Sequence, residues 1–105
     1  MLQDNITLGT IKAIVWQFFP QSTVLLFGSR ARQDHHDNSD YDILIITDKE
    51  MSPTEKLPFR TMIRKALLKK GIFSDILIQS HKDVELKKQL TGHIVKTILQ
   101  EGIAL

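Results

Sequence analysis

A run of consecutive aliphatic residues, Ile43-Leu44-Ile45-Ile46, opens with two carboxylates one residue apart, Asp40 and Asp42. Aliphatic and β-branched residues in so short a run predict a strand, and residues at i and i+2 of a strand point to the same face. The chain must therefore set two like charges side by side at the mouth of an apolar strand. Such charges repel unless a cation lies between them, and hard oxygen ligands of this kind suit Mg²⁺. Upstream, Gly28-Ser29 closes another apolar run, Val24-Leu25-Leu26-Phe27, with ten residues between Ser29 and Asp40. A Gly-Ser turn offers backbone N–H groups and a hydroxyl with no bulky side chain in the way, which suits phosphate. A phosphate binder beside a divalent-metal binder points to a nucleotide enzyme.

Periodicity places these segments within an alternation of helices and strands. Ile11, Ile14, Val15 and Phe18 predict a helix over 6–19, capped by Asp4 or Asn5 and stopped by Pro20. Thr23–Phe27 and Tyr41–Thr47 read as strands, with a short helix over 29–32 and a polar, turn-rich loop over 33–39 between them. Ser52-Pro53-Thr54-Glu55 has the form of a capped helix start. The stripe Phe59, Met62, Ile63, Ala66 and Leu67 carries that helix to Lys70, and Gly71 ends it. Pro58 suggests that the regular part begins there. A third strand is expected over 72–79, then a helical segment from Ser80 or His81 to Leu90. Thr91 is the expected cap of a last helix holding Ile94, Val95, Ile98 and Leu99, closed by Gly102, and 103–105 could add an edge strand.

The third strand carries one acid, Asp75, among apolar residues. A charge there is costly unless it is paired or binds a metal. If the second and third strands are neighbours, Asp75 joins Asp40 and Asp42 in a compact acidic site able to hold two cations. Tyr41, between the two acids, points to the opposite face. Loop histidines such as His35 and His36 are read as solvated rather than as ligands.

With 105 residues the chain is expected to form one domain, 1–105. The absence of cysteine excludes a disulfide framework and a thiolate metal site. No apolar run reaches the length of a membrane span, and the N-terminus lacks the layout of a signal peptide, so a cytoplasmic setting is expected. A formal charge of +2 does not indicate nucleic-acid binding. However, Lys56, Arg60, Arg64, Lys65, Lys69 and Lys70 cluster in one segment, several of them four apart. They form either a solvated helix face or a docking surface for an acidic partner or RNA.

Gly28-Ser29-Arg30-Ala31-Arg32, Ser39-Asp40-Tyr41-Asp42-Ile43-Leu44, the later Asp75 and the closing Gln100-Glu101-Gly102-Ile103 together resemble the minimal nucleotidyltransferases (MNT) of the DNA polymerase β superfamily. The resemblance covers nearly the whole chain. It implies an α/β (α+β) nucleotidyltransferase fold, a small mixed β-sheet flanked by helices. It also implies Mg²⁺-dependent transfer of a nucleoside monophosphate, from ATP or another nucleoside triphosphate, to an acceptor hydroxyl. On this resemblance Asp40, Asp42 and Asp75 are the catalytic residues and hold two Mg²⁺ ions, with Asp75 nearer the acceptor and able to take its proton. Gly28 and Ser29 hold the β- and γ-phosphates, and Arg30 or Arg32 offsets phosphate charge. Gln33 departs from the pattern, standing where family members usually carry glycine.

Family members of this size are commonly antitoxins paired with a HEPN-domain toxin, which implies such a partner here and AMP transfer to it. One alternative is a binding module that neutralises a partner by contact alone, against which the intact carboxylates argue. The other is a transferase acting on a small molecule or RNA, although antibiotic-modifying relatives usually carry an added helical domain. An apolar patch on the first or last helix could also support a homo-oligomer.

Overall fold

The computed structural model describes residues 2–34, 36 and 39–105, with the backbone alone for 2–4. Helix α1 spans Leu2–Phe18 and leads through Pro20 into strand β1, Thr23–Phe27. It begins at Leu2, ahead of the expected caps at Asp4 or Asn5. A short helix α2, Gly28–Arg32, follows β1 directly, and the chain returns as β2, Tyr41–Thr47. Then come α3, Pro53–Lys69; β3, Ser74–Ser80; α4, His81–Lys87; α5, Ile94–Glu101; and β4, Ile103–Ala104.

Local chemistry explains several boundaries. Ser52 Oγ accepts from the Glu55 N–H while Glu55 Oε1 accepts from the Ser52 N–H, a reciprocal cap that starts α3 at Pro53. That start keeps Pro58 inside the helix, contrary to the expectation that regular helix begins there. The capped first turn, and the Lys56 ammonium 3.2 Å from Asp83, hold the segment in place. Ser80 and Asp83 form the same reciprocal cap on α4. The cap of α5 is His93, whose Nδ1 accepts from the Val95 N–H, rather than Thr91.

The strands form one mixed sheet in the order β3-β2-β1-β4. β1 lies antiparallel to β2 and β4, whereas β2 and β3 are parallel. Alternate residues of the central strands feed two cores. Val24, Leu26, Ile43, Ile45, Ile76 and Ile78 pack with Ile11 and Val15 of α1 and Ile63 and Leu67 of α3. Leu44 and Ile46 pack with Val84 of α4 and Val95 and Ile98 of α5, and Leu25, Phe27 and Leu77 flank them. Cover on both faces is why β2 reads as a continuous apolar run rather than an alternation. The break in that run is Asp42.

Candidate functional site

The register sets three residues in a row across the sheet. Phe27, the last residue of β1, pairs with Asp42 near the start of β2, and Asp42 pairs with Asp75 on β3. Gly28 follows Phe27, so the Gly-Ser turn adjoins Asp42 on one side while Asp75 adjoins it on the other. Asp42 and Asp75 share the face of Leu44 and Leu77, at the strand ends. Asp40 lies two residues before Asp42. Tyr41 faces the opposite core and is buried there.

Gly28 is required at its position for two reasons. Its φ of +74° is in the left-handed region, and a Cβ on it would collide with the Asp42 Oδ2. The turn's backbone therefore lies directly against the carboxylate. No side chain caps α2 where Gly28 and Ser29 open it. At its other end Gln33 adopts a left-handed φ of 63°, and its N–H donates to the Ser29 carbonyl. Gln33 thus holds a conformation that glycine enters freely.

The two arginines differ. Arg30 Nε and Nη2 both donate to the Ser39 carbonyl, at 3.0 and 2.9 Å, and its guanidinium stacks 4.1 Å from the Tyr41 ring centroid. It braces the segment entering the acidic strand. Arg32 is exposed and pairs with Asp34 at 3.2 Å. His36 is exposed, and its N–H donates to Ser39 Oγ; His35 lies outside the described residues.

Asp42 is the half-buried member of the acidic set, and Asp40 and Asp75 are exposed. Burial pushes the Asp42 carboxyl up from its ordinary value; the Asp75 and Asp40 charges push it further, against a lowering by Arg32. Among the described residues no group of three acidic, His or Cys side chains is already set to hold a metal ion, although Asp42 lies near enough to Asp75 and Asp40 to feel the charge of both. The donor set is nonetheless chemically suited to a hard divalent cation. It is all carboxylate oxygen, and its central member carries like-charge repulsion that a cation would relieve.

Two clefts missed by the sequence reading adjoin the acids. One, of about 140 Å³, is lined by Asp40, Arg64, Leu68, Ile72, Phe73 and Ser74. The other, of about 120 Å³, includes Arg60, Arg64 and Asp75. The only signal for them in the sequence was the four-residue spacing of the cations on α3.

Residues 10–105 match the family described as "Polymerase beta, Nucleotidyltransferase". A Methanocaldococcus jannaschii protein, assigned by inference as a protein adenylyltransferase, is 33% identical over 82 residues, which cover 78% of this chain and 75% of that protein. A crystal structure of a toxin–antitoxin with AMP-PNP superposes with a TM-score of 0.59 at 19% identity, covering 91% of this chain and 69% of that one. A tri-AMPylated Shewanella oneidensis HEPN toxin in complex with MNT antitoxin gives a TM-score of 0.56 at 16% identity, over 95% and 69% of the respective chains. At those identities the two structures share the fold.

Proposed function

The chain belongs to the polymerase beta nucleotidyltransferase family and is a nucleotidyltransferase, and we propose that it moves AMP from ATP to a hydroxyl of a partner HEPN-domain toxin, acting as the antitoxin of that pair. The observation that carries the proposal is the row Phe27, Asp42, Asp75 across β1, β2 and β3, with Gly28 and Ser29 following Phe27 directly and the Asp42 carboxyl raised by burial and by its acidic neighbours. A phosphate-cradling turn adjoins the carboxylates on one side and leaves the other side to the acceptor. The named relatives support the partner: one is assigned as a protein adenylyltransferase, and another is an antitoxin bound to an AMPylated HEPN toxin. Among the described residues no helix is long and apolar enough to cross a membrane, which suits a cytoplasmic pair.

In this mechanism Asp40, Asp42 and Asp75 are the residues that would hold Mg²⁺. When bound, the ions supply positive charge at the attacking and leaving oxygens. Ser29 and the backbone N–H groups of its turn hold the β- and γ-phosphates. Arg32 offsets phosphate charge, and Arg30 fixes the approach of Asp40 and Asp42 by holding the Ser39 carbonyl. Asp75 takes the proton of the acceptor hydroxyl. The acceptor oxygen bonds to the α-phosphorus, the bond from that phosphorus to the bridging oxygen breaks, and pyrophosphate leaves with the electron pair.

The test is a transfer assay with Mg²⁺, ATP labelled at the α-phosphate, and a HEPN-domain protein as the candidate acceptor. Label should reach the partner, and Asp42→Asn should reduce it at least ~10²-fold while leaving the complex intact. Equal labelling by Asp42→Asn would sink the assignment of the acids. A stable complex with no label would favour neutralisation by contact alone.

A further inference from the structure

β3 is an edge strand of the sheet, and α3 runs beside it. Leu57, Arg60, Arg64 and Leu68 recur on α3 at three- and four-residue spacing, so they form one stripe. Both clefts lie along that stripe, and Arg64 lines each of them. Among the described residues neither Arg60 nor Arg64 has an ion pair or hydrogen bond, whereas Lys56 on the same helix is committed to Asp83. Ser74 is a second, independent observation. It is only 5% exposed, it lines the larger cleft, and its Oγ has no hydrogen-bond partner among the described residues. A buried hydroxyl left unpaired costs about 1–3 kcal/mol, and Ser74 shares the lining of this cleft with Arg64 and with Asp40.

Size and surroundings narrow the ligand. At about 140 and 120 Å³ the clefts are too small for a nucleotide, whose pockets run to roughly 300–1,000 Å³, but a side-chain carboxylate fits. Around them Phe73 is 62% exposed, Leu57 55% and Leu68 50%. Exposed aliphatic and aromatic side chains interleaved with arginine are the composition of a protein-docking surface. Asp40 lines the larger cleft and Asp75 the smaller, so both open beside the acids at the edge where α3 covers the sheet.

We infer that the α3–β3 edge docks the acceptor protein through an acidic side chain near its target hydroxyl, with Arg64 and Ser74 Oγ binding the carboxylate and Leu57, Leu68 and Phe73 seating its apolar neighbours. This rests on the nucleotidyl-transfer proposal for the acids themselves. Arg64 and Ser74 act as positioning residues that choose which hydroxyl reaches Asp75.

The probe is a short synthetic peptide with a central hydroxyl-bearing residue flanked by Glu and Leu, compared with the same peptide carrying Gln for Glu. Binding is followed by titration and by amide chemical shifts, with AMP-PNP and Mg²⁺ present. The Glu peptide should bind at least ~10-fold more tightly than the Gln peptide, about 1.4 kcal/mol, and shift the amides around Arg64, Phe73 and Ser74. Arg64→Glu should remove that preference and Arg64→Lys should keep part of it. Ser74→Ala should weaken the Glu peptide several-fold with unchanged or higher Tm, because it deletes an unpaired buried hydroxyl; a purely structural Ser74 would lose stability instead. Equal affinities for the two peptides, or shifts elsewhere, would overturn the inference, as would tighter binding of a single-stranded RNA at the same amides. AMP-PNP binding is read separately. Its failure would count against the nucleotide site, while the peptide comparison would still decide the docking edge.

Discussion

Gly28 concentrates the physics of the site in one residue. Its left-handed backbone and its contact with the Asp42 carboxylate each exclude a side chain. Gly28→Ala should therefore lower stability by at least ~1 kcal/mol in chemical denaturation and also abolish AMP-PNP binding measured by titration. Gln33 presents the reverse case. A non-glycine residue at φ 63° costs about 1–2 kcal/mol, part of which Gln33→Gly should recover; a loss of stability would show that its side chain has an unrecognised role. Asp42→Asn, in metal-free protein at neutral pH, should raise Tm slightly, because it deletes a half-buried charge repelled by two others. The two carboxylates and the Gly-Ser turn were legible in the sequence because their chemistry is carried by residue type and spacing. The bracing by Arg30 was not, since it depends on a carbonyl nine residues away and on the ring of Tyr41, which only the folded chain brings together.

At the scale of elements, the serine cap of α3 was readable because Ser followed three residues later by Glu is a local pattern, whereas for α4 the sequence placed only a helix start at Ser80 or His81 and the reciprocal cap with Asp83 emerged in the fold. The His93 cap was not readable, because imidazole is an uncommon cap and Thr91 competed for the role. Asp83 links α4 to the rest of the fold: burial works against its charge, but the Ser80 N–H and the Lys56 ammonium hold its carboxyl below the ordinary value of 3.8. A lowered carboxyl stabilises the fold at pH above its unfolded value, and that contribution is lost as the pH falls through the folded value. Asp83→Asn should thus cost about 1 kcal/mol at pH 7, with the gap from wild type closing as thermal melts are taken below pH 3.8. A gap that stays constant with pH would mean that the charge is irrelevant and packing alone is lost.

For the whole molecule, the essential fact is that β2 lies between β1 and β3, antiparallel to one and parallel to the other. The order of elements could be read along the chain, but strand direction and register could not, because they are fixed by which apolar faces meet α1 and α3 on one side and α4 and α5 on the other. That register turns three separated motifs into one row of turn, carboxylate and carboxylate. The central claim is that the row binds nucleotide and Mg²⁺ as a unit. The most direct measurement is the Tm of wild type and Asp42→Asn with AMP-PNP alone, with Mg²⁺ alone and with both. Wild type should gain several degrees only when both are present, consistent with ~2–3 kcal/mol of linked binding at saturating ligand, and Asp42→Asn should gain nothing. An equal gain in the variant, or a full gain from AMP-PNP in chelator, would contradict the claim.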